Sequence, residues 1–187
     1  LAIGIDLGTS RCAVGVYEHG KAAALLFGKQ VYTLPSAVGF ADDGSLLVGD
    51  RVRRLTLTRP QSMLMAVHRL VGRRFDDLDV QAWRPYALMR SASGDAHVRV
   101  GEDGVSPEEL IAPLIREVRD AAERQLGEVI GAGVVTVRGH VNDAMRRATI
   151  AACRLGGLEV RRLVHSTTAA ALTYQAGRAF NGDELIA

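Results

Sequence analysis

Lysine is almost absent from this chain, which carries it only at Lys21 and Lys29, and cysteine is as scarce, with Cys12 and Cys153 far apart. Two thiols in no metal-ligand spacing imply neither a metal site nor a disulfide framework, and leave both to pack as small apolar groups. No apolar run near the start approaches the ~20 residues that a membrane span requires; the longest there is Ala22 to Phe27. No basic stretch precedes a signal-like segment, so the chain is expected to be soluble and cytoplasmic, with no membrane partner. Low-complexity tracts and internal repeats are missing as well, which sets disorder and solenoid architectures aside. Nor does charge of one sign dominate, since 23 basic side chains against 21 acidic ones give a net charge of +2.

What is present is an ordinary globular composition. With 187 residues, 48% of them hydrophobic and 24% charged, the chain can bury a core as one domain or as two small lobes. Because the basic side chains are nearly all arginine, nucleic acid has to be weighed as a partner. The densest basic stretch holds Arg51, Arg53, Arg54, Arg59, Arg69, Arg73 and Arg74, but Asp76, Asp77 and Asp79 follow at once and no aromatic residues are interleaved. That is the pattern of a solvated, salt-bridged face rather than of a nucleic-acid groove.

Residues 1–35 read as a meander of short strands punctuated by Gly8, Gly20 and Gly28. Residues 36–105 have a different texture and are expected to form an inserted subdomain. Short strands such as Ala37 to Phe40 and His97 to Val100 surround one helix near Gln61 to Val71, with turns at Asp42-Asp43-Gly44 and at Gly101 to Gly104. Ser106-Pro107-Glu108-Glu109 then supplies an N-cap, a first-turn proline and a capping-box glutamate. Leu110, Ile111, Leu114, Ile115, Val118, Ala122 and Leu126 recur at helical spacing before Gly127. A strand at Val134 to Val137 is followed by a helix capped by Asn142 or Asp143 and stopped at Gly156-Gly157. Next come a strand at Leu158 to Val164, a small-residue helix opened by Thr167 or Thr168, and a strand beginning at Asp183. Strands alternating with helices predict an α/β layer, built from residues 1–35 and 106–187.

The chemistry concentrates at the first turn. Ile3-Gly4-Ile5-Asp6-Leu7 is strand-like, Gly8-Thr9-Ser10 turns the chain, and Ala13 to Tyr17 returns it. Backbone N–H groups around such a turn can converge on an anion, with the Thr9 and Ser10 hydroxyls as further donors. Asp6 at the strand end is suited to the hydration shell of a Mg²⁺ that travels with a nucleotide, since hard cations take oxygen ligands and keep their waters. The alternative is a plain hairpin in which Asp6 and Thr9 cap their own turn.

Five segments, in order, resemble the nucleotide-binding domain of the seventy-kilodalton heat-shock chaperones, the DnaK-type family. They are Gly4-Ile5-Asp6-Leu7-Gly8-Thr9, Thr33-Leu34-Pro35-Ser36-Ala37-Val38, Arg69-Leu70-Val71-Gly72-Arg73-Arg74-Phe75-Asp76-Asp77, Asn142-Asp143-Ala144 and Thr168-Ala169-Ala170-Ala171-Leu172. The resemblance implies the actin-like ATPase fold with its ribonuclease H-like motif, here the first lobe only. It also implies ATP or ADP with Mg²⁺ as ligands, and unfolded polypeptide and co-chaperones as partners of a stress-response chaperone. By the same resemblance Asp6 orients the metal's waters, Gly8, Thr9, Ser10 and Arg11 form the phosphate loop, and Arg138 and Arg146 belong to a relay towards a peptide-binding domain. A second phosphate loop and the adenosine site are expected beyond Ala187.

The departures fall on the chemistry. His68 stands where the family has a lysine beside the γ-phosphate, and an imidazole with an ordinary pKa of ~6.5 is only fractionally cationic at neutral pH. His165-Ser166-Thr167 replaces the family's asparagine, glutamate and proline, so that Ser166 puts a hydroxyl in place of a carboxylate near the metal. Arg138 replaces a proline that acts as the family's conformational switch. Phosphoryl transfer rests on positioning and charge neutralisation, so hydrolysis is expected to be impaired. A non-enzymatic chaperone-like module that has lost the reaction is the alternative from another class. Other actin-like ATPases and sugar kinases share the architecture but lack the segment from Arg69 to Asp77. The 187 residues alone are expected neither to hydrolyse ATP nor to bind it tightly, lacking a second wall.

Overall fold

The structure, a computed structural model, describes residues 2–28, 31–41, 43–55, 63–83 and 86–176. Strands β1 (Ala2–Leu7) and β2 (Arg11–Glu18) form an antiparallel hairpin in which Ile3, Ile5 and Leu7 stand opposite Val16, Val14 and Cys12. All six are buried, so one face of the hairpin is continuously apolar. The alternate positions Gly4, Asp6, Ala13 and Gly15 carry small or charged groups. Burying each Ile or Val contributes roughly 1.5–3 kcal/mol, and a slip of one residue would put Asp6 in the core. The apolar pattern therefore fixes Asp6 on the open face.

Strand β3 (Lys21–Ala24) and the short β4 (Leu34–Pro35) both pair with β2. In the region after β4, the short strands β5 (Ala37–Phe40), β6 (Leu46–Val48) and β7 (Met63–Met65) form one antiparallel sheet, with helix α1 (Asp50–Leu55) between β6 and β7. Strands β8 (Leu88–Arg90), β9 (Ala96–Val100) and β10 (Asp103–Val105) form another. Helix α2 (Pro107–Leu126) then leads to β11 (Ala132–Val137), α3 (Asp143–Leu155), β12 (Glu159–His165) and α4 (Ser166–Gln175). β1 runs parallel to β11 and β11 parallel to β12, giving a mixed six-stranded sheet in the order β12-β11-β1-β2-β3. Parallel neighbours need a crossover, and α3 supplies the one between β11 and β12. A mixed sheet with packed helices fits the expected α/β, actin-like class.

Both halves of the capping box on α2 are present. The Ser106 side chain accepts the Glu109 N–H, the Glu109 carboxylate accepts the Ser106 N–H, and Gly127 closes the helix at φ 69°. Asn142, not Asp143, caps α3. Two expectations are corrected. The helix near Gln61 to Val71 is not formed, because Met63–Met65 pairs with β5 as a strand, Ala66 takes φ 56°, and Val67–Arg69 makes a single 3-10 turn. Gln61 and Ser62 lie outside the described residues. Helix α4 opens at Ser166, ahead of Thr167 and Thr168, with His165 as an N-cap whose side chain bonds no helical N–H. The strand expected from Asp183 onward also lies outside the described residues. Cys12 and Cys153 are buried free thiols. No described helix is long and apolar enough to cross a membrane.

Candidate phosphate-binding site

The turn between β1 and β2 closes tightly. A Cβ on Gly8 would lie 2.4 Å from the Arg11 carbonyl oxygen, so a larger residue would force the turn open. Two of its carbonyls are bound by one buried residue, Ser36. The Ser36 hydroxyl donates to the Gly8 carbonyl at 2.7 Å, and the Ser36 N–H donates to the Ser10 carbonyl at 2.9 Å. Among the described residues no protein acceptor takes the Thr9 or Ser10 amide. With the Gly8 and Ser10 carbonyls tied down and these two amides unspent, the turn has the polarity an anion requires. Cys12 lies behind it, its Sγ 3.2 Å from the Ser36 Oγ. Burial, against the opposing pull of the Ser36 hydroxyl, pushes this thiol up to about 11, so it is uncharged at neutral pH.

Asp6 does not cap its own turn. Pairing of Ile5 with Val135 brings Asp6 beside Thr136 on the neighbouring parallel strand. There the Thr136 hydroxyl donates to Asp6 Oδ1 at 2.5 Å and accepts the Leu7 N–H at 3.1 Å. One hydroxyl thus satisfies a backbone donor and orients the carboxylate, which stays exposed. Among the described residues no three His, Cys, Asp or Glu side chains gather as a metal cage. A single fixed carboxylate fits a hydrated Mg²⁺, whose remaining ligands are waters and phosphate oxygens.

The other expected site residues are more dispersed. The Arg11 Nε donates to the Thr33 Oγ1, which ties this exposed side chain to the residue before β4. His68 lines a narrow cavity of about 30 Å³ with Leu7, Thr136, Arg138 and others. Its Nε2 is buried with no hydrogen-bond partner among the described residues. Burial, then the charges of Arg138 and Arg69, pull its pKa down to about 4, so the imidazole is neutral at pH 7. Arg138 is exposed just beyond β11, and its carbonyl lies 3.0 Å from the His165 Nδ1. Arg146 sits half-buried in the first turns of α3 and Ser166 half-buried at the start of α4. No hydrogen bond joins Ser166 to Asp6, Arg138 or Arg146 among the described residues.

Asp6, Gly8, Thr9 and Ser10 are therefore brought together, and two unforeseen residues, Thr136 and Ser36, hold them. A lone hydroxyl in the run Val134-Val135-Thr136-Val137 was the available signal for the first. A cavity of about 630 Å³ lies between α3 and the Leu70 to Asp77 segment and shares no residue with the turn. In comparison with known families, the family model described as Hsp70 protein matches residues 2–181, a span that takes in all of these side chains.

Proposed function

The chain belongs to the Hsp70 protein family and is a chaperone-like nucleotide-binding domain, and from that premise we propose that the turn at Gly8 to Ser10 binds the phosphates of ATP or ADP. Asp6 faces the accompanying Mg²⁺ through water. The observation that carries this reading is the turn's polarity: the Gly8 and Ser10 carbonyls are bound by Ser36, while the Thr9 and Ser10 amides are left for a ligand. Mg²⁺, when bound, neutralises phosphate charge. This chain's part is to present amides, hydroxyls and one carboxylate held by Thr136.

Hydrolysis is slow on this reading. His68 is neutral at pH 7 with a sealed Nε2, and Ser166 brings no fixed charge, so two positions that resemble catalytic ones supply no ionic stabilisation. Unfolded polypeptide and co-chaperones bind through regions outside this chain. Calorimetric titration of ATP with Mg²⁺ into the full-length protein tests the first half, with saturable heat expected and no heat at millimolar nucleotide removing it. Turnover measured on the same sample tests the second: rapid hydrolysis stimulated by an unfolded peptide would overturn the slow-hydrolysis reading without touching nucleotide binding. The same neutral, sealed His68 favours a second reading, in which the domain binds nucleotide as a structural ligand and works as a non-enzymatic interaction module; complete absence of turnover beside normal binding would select it.

A further inference from the structure

Three guanidinium groups meet at a cavity of about 240 Å³ that has no lining residue in common with the phosphate turn. Arg69 and Arg73 reach it from the 3-10 turn after β7 and the loop that follows, and Arg138 from beyond β11. Leu78, Ala82 and Trp83 line it as well, together with Asp77 and Asp79. The Arg69 guanidinium carbon lies 5.6 Å from the centroid of the Trp83 ring, a cation–π contact that limits where this charge can go. Arg73 gives one N–H to the main-chain carbonyl of Asp77 at 3.5 Å, and the Asp79 Oδ1 is engaged by the Gln81 N–H at 3.1 Å.

Elsewhere in the molecule arginines find carboxylates, as Arg74 finds Asp95, Arg90 finds Asp76 and Arg124 finds Glu117. Among the described residues no ion pair reaches Arg69, Arg73 or Arg138. Asp77 and Asp79 share the cavity without pairing to the three cations, and the excess of positive charge is felt by its neighbours. Arg138 is held below its ordinary value by burial and then by Arg69 and Arg73, and His68 by burial and then by Arg138 and Arg69. Gathering like charges costs free energy that a bound anion offsets.

The geometry points to an anion site: the pocket of Arg69, Arg73 and Arg138 binds a phosphate-class oxyanion, either the free tetrahedral ion or the head of a small phosphomonoester. Planar guanidinium forks match such oxygens two at a time, which lysine does not do. A volume of about 240 Å³ is room enough for a tetrahedral ion and a compact substituent lying along Trp83 and Leu78.

The test uses the full-length protein without nucleotide, following its thermal unfolding as inorganic phosphate is added against sodium chloride at matched ionic strength. Phosphate is expected to raise the midpoint, and Arg138→Ala to weaken its apparent affinity about tenfold or more. Among the described residues no hydrogen bond or ion pair involves the Arg138 side chain; its carbonyl meets the His165 Nδ1 and alanine keeps that contact, so this variant is expected to retain its fold. Arg138→Lys is expected to recover part of the loss. Phenyl phosphate protecting as well as inorganic phosphate supports the site and assigns a phosphomonoester; protection by inorganic phosphate alone supports the site and assigns the free ion. Equal protection of the parent and Arg138→Ala overturns the proposal, because the phosphate is then bound elsewhere. So does a parent that phosphate stabilises no more than chloride.

Discussion

Thr136→Val removes one oxygen and leaves the side-chain shape almost intact, which isolates what that oxygen does. It accepts the Leu7 N–H at 3.1 Å and donates to Asp6 Oδ1 at 2.5 Å. The two losses are unequal. Leu7 is buried, so its orphaned N–H costs about 1–3 kcal/mol. Asp6 is exposed and water replaces the lost donor, so this bond contributes only about 0.5 kcal/mol to stability. The expected destabilisation is then about 1.5–3.5 kcal/mol, which for a domain of this size lowers the unfolding midpoint by roughly 3–14 °C. Function should suffer in another way. Loss of a group that orients a metal-facing carboxylate typically costs about 10–100-fold in metal affinity, so the gain in ATP affinity that Mg²⁺ confers should shrink by that factor. Urea unfolding measures the first effect, and calorimetry of ATP with and without Mg²⁺ the second. Thr136→Ser, which keeps the oxygen, should preserve both. If Thr136→Val lost stability as expected yet kept the full benefit of Mg²⁺, Asp6 would not be the carboxylate that faces the metal.

Two further outcomes follow from buried contacts. The folded pKa of His68, about 4, lies below its ordinary value of 6.5, so between these values the unfolded chain binds the extra proton. The stability present above pH 6.5 is lost as the pH falls towards 4, by about 2–4 kcal/mol. Urea unfolding across this range should show a steeper fall for the parent than for His68→Gln, and equal slopes would refute the assignment. Gly72 sits at φ 69° with an added Cβ 2.6 Å from the Met145 Cα, a backbone atom at the start of α3. Gly72→Ala combines left-handed strain of about 1–2 kcal/mol with overpacking of about 1–3 kcal/mol, so a fall of about 2–5 kcal/mol in chemical denaturation is expected. An unchanged midpoint would show that α3 gives way at no cost.

What could be read in advance was whatever a short segment decides by itself. The capping box and Gly127 bound α2 because Ser106, Pro107 and Glu109 act within one helical turn. Asp6 before Gly8 was legible for the same reason. The helix drawn over Gln61 to Val71 failed because Leu64, Val67, Leu70 and Val71 imitate a helical period, whereas pairing of Met63–Met65 with β5 and the positive φ of Ala66 override it. The short helix α1, with Arg51 and Arg53 exposed on it, was hidden inside what read as a charged face. Thr136 lies 130 residues from Asp6 and Ser36 lies 28 from Gly8. Neither partnership has a local signature, since each exists only once parallel pairing or the return of the chain at β4 sets the register. The same holds for charge. His68 read alone is a partly protonated imidazole, but beside Arg69 and Arg138 and out of water it is neutral, and the cations of this region gather instead at Arg69, Arg73 and Arg138. A strand-end site is therefore only half written in the segment that carries it: the turn names the donors, and the neighbouring strand decides which way the carboxylate points.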